Sequence, residues 1–149
     1  MSAARPSLAE AVALAFGNGG ALAVADPSYT EREVQQRFAQ AVAAAIDGCE
    51  ALVAEAGTGV GKTFAYLVPL LLSGKRALVS TATKSLQDQL FLRDLPRLVD
   101  ALGVPVRVAL LKGRSSYLCL HRLQQARQGF ELPDRFAVRA LSRIEAWAP

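Results

Sequence analysis

The segment Glu55–Thr63, EAGTGVGKT, brings three glycines, a lysine and a threonine into a spacing suited to holding phosphate. Glycines let a backbone wrap closely around phosphate oxygens. A helix that starts just after them offers unpaired N–H groups and the positive end of its dipole. Lys62 is then placed to reach the β- and γ-phosphates of a nucleoside triphosphate, and the Thr63 hydroxyl to ligate Mg²⁺. One position departs from the common G-x-x-x-x-G-K-[ST] pattern, because Ala56 stands where that pattern has glycine. Alanine is small enough to keep the turn tight, so phosphate binding is expected to survive.

Such a loop works only between a strand and a helix. ALVAEA (51–56) is a short apolar run that suits a buried strand, and a helix is expected to begin near Gly61 and run through KTFAYLV. Pro69 lies in its continuation and is expected to kink or shorten it. RALVS (76–80) and VRVALL (106–111) read as two more buried strands. Solid apolar strands separated by helices imply a parallel sheet covered on both faces.

Upstream, Thr30 and Glu33 have the T-x-x-E spacing of a capping box. Val34, Phe38, Val42 and Ile46 follow on one helical face, and Gly48 is the expected stop. Residues 1–29 are poorly patterned, with GNGG and DPS as turn signals. After the second strand, Thr81 or Thr83 is expected to cap a helix with Leu86 and Leu90 facing inward. Two basic amphipathic helices are expected at about 116–128 and 134–147.

The chain has 149 residues and 52% hydrophobic residues, which reads as a globular domain with a core. No run of about 18 uncharged apolar residues is present, so no membrane span is expected. The two cysteines, Cys49 and Cys119, are too few for a disulfide framework. A reducing, cytoplasmic setting is expected. Residues 1–70 carry a net −3 and residues 71–149 a net +7. A basic second half suits either a polyanion partner such as nucleic acid or a solvated basic surface.

AGTGVGKT also fits the A-x-T-G-x-G-K-T form of motif I in superfamily 2 helicases. STATKSLQDQL (80–90) follows the second strand, where such helicases carry motif Ia. LLKGRSSYLCL (110–120) is similar to the segment that opens the iron–sulfur domain of XPD-like helicases. Together these resemble the DinG/YoaA branch of bacterial XPD-like DNA helicases, from about Arg32 to Trp147.

That resemblance implies an α/β fold, part of a RecA-like P-loop NTPase domain over 30–115, followed by the start of an iron–sulfur domain over 116–149. It implies ATP held by Ala56, Gly57, Thr58, Gly59, Val60, Gly61, Lys62 and Thr63. REVQ (32–35) is similar to the family's R-x-x-Q, so Arg32 and Gln35 join that site with Gln35 against adenine. Thr81, Thr83 and Lys84 match the region that holds single-stranded DNA, and Lys112 and Arg114 are candidates for further contacts with single-stranded or forked DNA. Cys119 matches the first of four cysteines that hold a 4Fe–4S cluster. Ser116 stands where the family often has asparagine, which alters only local turn chemistry.

No DEAH-type acidic pair follows a strand, and only Cys119 matches a cluster position. The sequence therefore reads as the N-terminal portion of an ATP-dependent 5′–3′ DNA helicase that serves DNA repair. The chain by itself is expected to bind nucleotide weakly, with negligible turnover and no iron. Two other readings fit parts of the sequence. A P-loop kinase or other NTPase accounts for Lys62 and Thr63, and a non-catalytic nucleic-acid-binding module accounts for the missing acidic pair.

Overall fold

Residues 6–128 and 134–148 are described by a computed structural model. They form two units, one up to Val108 and one from Ala109.

The first unit opens with α1 (Leu8–Phe16), whose start is a full capping box. The Ser7 hydroxyl accepts the Glu10 N–H at 3.3 Å, and the Glu10 carboxylate accepts the Ser7 N–H at 2.8 Å. After the turn Gly17–Gly20 comes the short α2 (Ala21–Ala25). Residues Leu8–Ala25 together are as apolar as a membrane span. They are nevertheless two helices broken at the glycines, with Val12, Ala15, Phe16 and Leu22 buried in the core.

The capping box expected at Thr30 and Glu33 does not form. The next helix, α3 (Glu33–Gly48), starts later, with Arg32 as its N-cap and no side-chain cap bond. Glu33 is therefore the first helical residue instead of the third, where a box needs it. The helix ends at Gly48 as expected, but the left-handed residue is Cys49, at φ 53°. The Lys75 ammonium reaches the Ile46 carbonyl at 2.8 Å and satisfies one of the open groups there.

Val34, Phe38, Val42 and Ile46 do share a face, yet none is fully buried, and Val34 is exposed. The close-packed stripe lies one residue over, at Gln35, Ala39 and Ala43. Small side chains there let α3 lie tightly against α1 and against α4 (Lys62–Ser73), which supplies Ala65, Leu67 and Val68 to the same core. Helix α4 continues through Pro69 to Ser73, which corrects the expected shortening. Pro69 is itself buried, and proline leaves the Ala65 carbonyl without its helical donor.

Thr83 caps α5 (Lys84–Gln89), with its hydroxyl accepting the Leu86 N–H at 3.2 Å. Leu90 is buried as expected, whereas Leu86 faces out at the helix start. A π-helical turn (Leu90–Asp94) leads into α6 (Leu95–Leu102), whose Leu98 packs in the core.

The expected parallel sheet is not assembled. Among the described residues, 51–56, 76–80 and 106–111 run without strand pairing. Val53 is 99% exposed and Leu78 is 92% exposed. A strand exists only through hydrogen bonds to a neighbour, and none of these runs supplies one to another. Two of them border an open apolar groove of ≈ 600 Å³ with Phe38, Val42, Tyr66 and Leu70. This is why the apolar face of α3 is only partly covered.

In the second unit a single 3₁₀ turn (Arg114–Ser116) precedes α7 (Leu120–Arg127) and α8 (Arg135–Trp147). Asp134 caps α8 by accepting the Ala137 N–H at 2.7 Å. The two helices pack together, with Arg127 paired to Glu145 at 2.9 Å. The first helix begins later than expected, at Leu120, because Tyr117 and Cys119 are extended after the 3₁₀ turn. The chain between the helices, 129–133, lies outside the described residues.

Candidate nucleotide-binding loop

The loop is shaped by two glycines in the left-handed region, Gly59 at φ 77° and Gly61 at φ 80°. An L side chain adopts such angles only with strain. Gly61 is also the N-cap of α4, so the turn feeds directly into a helix N-terminus with open N–H groups. Lys62 is the first residue of that helix. Its ammonium folds back onto the loop carbonyls of Ala56, at 2.8 Å, and Gly57, at 2.7 Å. This centres a positive charge on the loop. An arriving phosphate oxygen can take over these contacts and gains a charge-assisted bond.

Thr63 follows in the same turn, three residues before Tyr66. Burial raises the Tyr66 phenol above its usual value; the neighbouring Thr63 side chain opposes this, and the charge of Asp94 adds to it. Asp94 is buried and held by Gln89 at 2.8 Å and Arg93 at 2.9 Å.

The loop is joined to α3 by two side chains. The Arg32 guanidinium donates to the Gly59 carbonyl. Gln35 is 6% exposed, and its amide donates to the Gly61 carbonyl at 3.0 Å. Thus Arg32, Gln35 and Ala56–Thr63 are brought together as one site, while Gln35 engages the loop backbone.

Thr81, Thr83 and Lys84 cluster at the start of α5. The Thr81 hydroxyl donates to the Thr83 carbonyl at 3.3 Å, Thr83 is occupied as the cap, and Lys84 is exposed. Lys112 and Arg114 belong to the second unit, where the Lys112 N–H donates to the Tyr117 hydroxyl at 2.8 Å. Cys119 is the N-cap of α7 and is exposed, so it is no core residue; Cys49 is exposed as well. Among the described residues no cluster of three or more His, Cys, Asp or Glu side chains is arranged to hold a metal ion.

Residues 32–141 match the DEAD/DEAH box helicase family. The chain is 54% identical over 119 residues to the ATP-dependent DNA helicase YoaA of Escherichia coli (strain K12), covering 79% of this chain and 19% of that protein. It is 46% identical over 136 residues to the protein of the same name from Haemophilus influenzae, covering 91% of this chain and 21% of the relative. It is 43% identical over 162 residues to the ATP-dependent helicase DinG of Mycobacterium tuberculosis (strain H37Rv), covering 95% of this chain and 24% of the relative. The chain thus spans about a fifth to a quarter of the length of these relatives. No solved structure matches it.

Proposed function

The chain belongs to the DEAD/DEAH box helicase family, with the RecA-like P-loop fold that family implies, and we propose that Ala56–Thr63 is the ATP site of an ATP-dependent DNA helicase. The observation that carries this is the Lys62 ammonium centred on a loop of two left-handed glycines at a helix N-terminus. The residues present fit a nucleoside triphosphate with Mg²⁺. The open N–H groups and Lys62 would take the phosphates, and the Thr63 hydroxyl would hold the metal. Mg²⁺ supplies charge neutralisation between the phosphates. The adenine contact expected of Gln35 would need its buried amide to leave Gly61.

Thr81, Thr83 and Lys84 suit phosphate contacts that position a single strand without reading its sequence, and Lys112 and Arg114 add positive charge. In the whole protein we assign the runs 51–56, 76–80 and 106–111 to strands of one parallel sheet, and the setting to the cytoplasm. Their exposed branched side chains support the sheet. A 4Fe–4S cluster does not fit the residues of this chain alone, which holds two cysteines where four thiolates are needed. Cys119, exposed at the start of α7, is suited to be one of the four.

The test is made on a protein of the relatives' full length. Single-stranded DNA is expected to raise its ATP hydrolysis, and a forked duplex to be unwound 5′ to 3′. Lys62→Ala is expected to remove both and to weaken nucleotide binding about 10- to 100-fold, as loss of a charged hydrogen bond implies. Hydrolysis indifferent to DNA would favour a kinase or other NTPase. Unwinding that survives Lys62→Ala would overturn the assignment of the loop.

A further inference from the structure

We propose that the buried Asp94 is a positioning residue: with Gln89 it locks a π-helical turn, and the lock ties α5 to the helix that carries Lys62 and Thr63. The proposal rests on the nucleotide-site reading of the phosphate loop and gives that site a way to act on α5.

The backbone is helical from Lys84 to Leu102, through α5, the π turn and α6. Pro96 stands inside this helix. Proline has no N–H for the carbonyl four residues back, at Leu92, and its ring crowds that oxygen. The turn just before it is wider than an α-helix, for the Leu95 N–H donates to the Leu90 carbonyl five residues back. The side chains share that spacing. The Gln89 amide donates to the Asp94 carboxylate at 2.8 Å, also across five residues. In a regular α-helix, residues five apart point about 140° away from each other. The Gln89–Asp94 bond therefore favours the wide turn over the α-helical one.

A buried carboxylate is costly unless it is paired. Asp94 is 4% exposed, and its other oxygen accepts from the Arg93 guanidinium at 2.9 Å. Both bonding partners come from its own helix, yet its charge reaches α4, where it acts on the Tyr66 phenol. Tyr66 stands one turn after Thr63 and packs on the core that holds Leu90 and Leu98, which bracket the lock. A π turn is an element with two registers. Narrowing it to an α turn rotates one side of the helix by about one residue step, roughly 100°. Leu98 is fixed in the core and α6 packs on α4, so α5 is the side that turns. A nucleotide that draws on Thr63 shifts Tyr66, changes the surroundings of Asp94 and biases the register. Coupling between two places needs such an element, with two arrangements that both places favour differently.

The experiment compares the chain with the double variant Gln89→Met, Asp94→Met, which removes both members of the bond and leaves neither buried and unpaired, and with Tyr66→Phe. NMR reads the coupling across the hydrogen bond of the Leu95 amide, and then the amide shifts caused by Mg·ATP. In the unsubstituted chain the Leu95 amide is expected to couple to the Leu90 carbonyl, and Mg·ATP to shift amides at 59–63 and at 85–94. In the double variant the coupling is expected to move to the Phe91 carbonyl, the α-helical partner, and the shifts at 85–94 to be lost while those at 59–63 persist. Tyr66→Phe is expected to keep the Leu90 coupling and to lose the same distant shifts. A Leu90 coupling that survives in the double variant would overturn the lock. Shifts at 85–94 that survive in both variants would overturn the tie to the loop. Should the double variant not fold, Gln89→Met alone is expected to speed exchange of the Leu95 amide about five- to tenfold, as loss of one hydrogen bond implies, and an unchanged rate would overturn the lock. If Mg·ATP shifted no amide at 59–63 of the unsubstituted chain, the nucleotide-site reading would fall, and the Leu95 coupling alone would decide the lock.

Discussion

The phosphate loop and the apolar runs beside it come from the same stretch of chain and end in opposite conditions. The loop reaches a definite geometry through contacts that are short in sequence or lie on one packed neighbour: two left-handed glycines, Lys62 folded onto carbonyls five and six residues back, and two side chains of α3. The runs 51–56 and 76–80 leave Val53 and Leu78 in solvent, although both runs are mostly apolar. The difference is one of partners. A turn and a helix cap are closed by local hydrogen bonds, whereas a strand is completed only by another strand. Chemistry that depends on a loop can thus be laid out by contacts that need no sheet.

The largest expected effect sharpens this contrast directly. Phe16→Ala is expected to destabilise the first unit by about 3–5 kcal/mol in chemical denaturation, since Phe16 is fully buried. Val53→Ser is expected to fall within about 0.5 kcal/mol of no change, because nothing is packed on Val53. A large loss from Val53→Ser would show that the run is paired in solution and would break the comparison.

A smaller effect probes a local cap. Thr83→Ala removes the acceptor of the Leu86 N–H and is expected to cost about 1 kcal/mol, read as faster amide exchange across α5. If that exchange did not change, the helix start would not depend on local closure. The smallest effect concerns pH. Bonds from the Ser7 backbone and then its hydroxyl hold the Glu10 carboxyl below its usual 4.5. A carboxyl lowered in the folded state stabilises above its unfolded value and loses that contribution as pH falls through the folded value. Acidification below about 4.5 should therefore loosen the first turn of α1. Ser7→Ala should raise the Glu10 value in a carboxyl NMR titration, and no shift would remove the capping box from the account.

What was legible in the sequence follows the same division. The glycines and Lys62 of the loop, the stop of α3 at Gly48, and a cap at Thr81 or Thr83 could all be seen, because each depends on residues within a few positions. The Ser7–Glu10 box was equally local but lay in a segment whose glycines and alanines masked any pattern. At Thr30 and Glu33 the same spacing misled. The chain there stays extended, and Arg32 takes the N-cap while its guanidinium reaches Gly59. Periodicity found the apolar face of α3 but not its tightest face, since alanines and a glutamine make the closest packing. The sheet was inferred from composition, and composition cannot say whether a neighbouring strand is at hand.

The central claim is that Ala56–Thr63 holds the phosphates of a nucleotide through Lys62. Calorimetric titration of Mg·ATP into this chain, beside its Lys62→Ala variant, tests it most directly. Weak but saturable one-to-one binding that Lys62→Ala weakens about 10- to 100-fold is the predicted result. Binding of equal strength in the two proteins would contradict it.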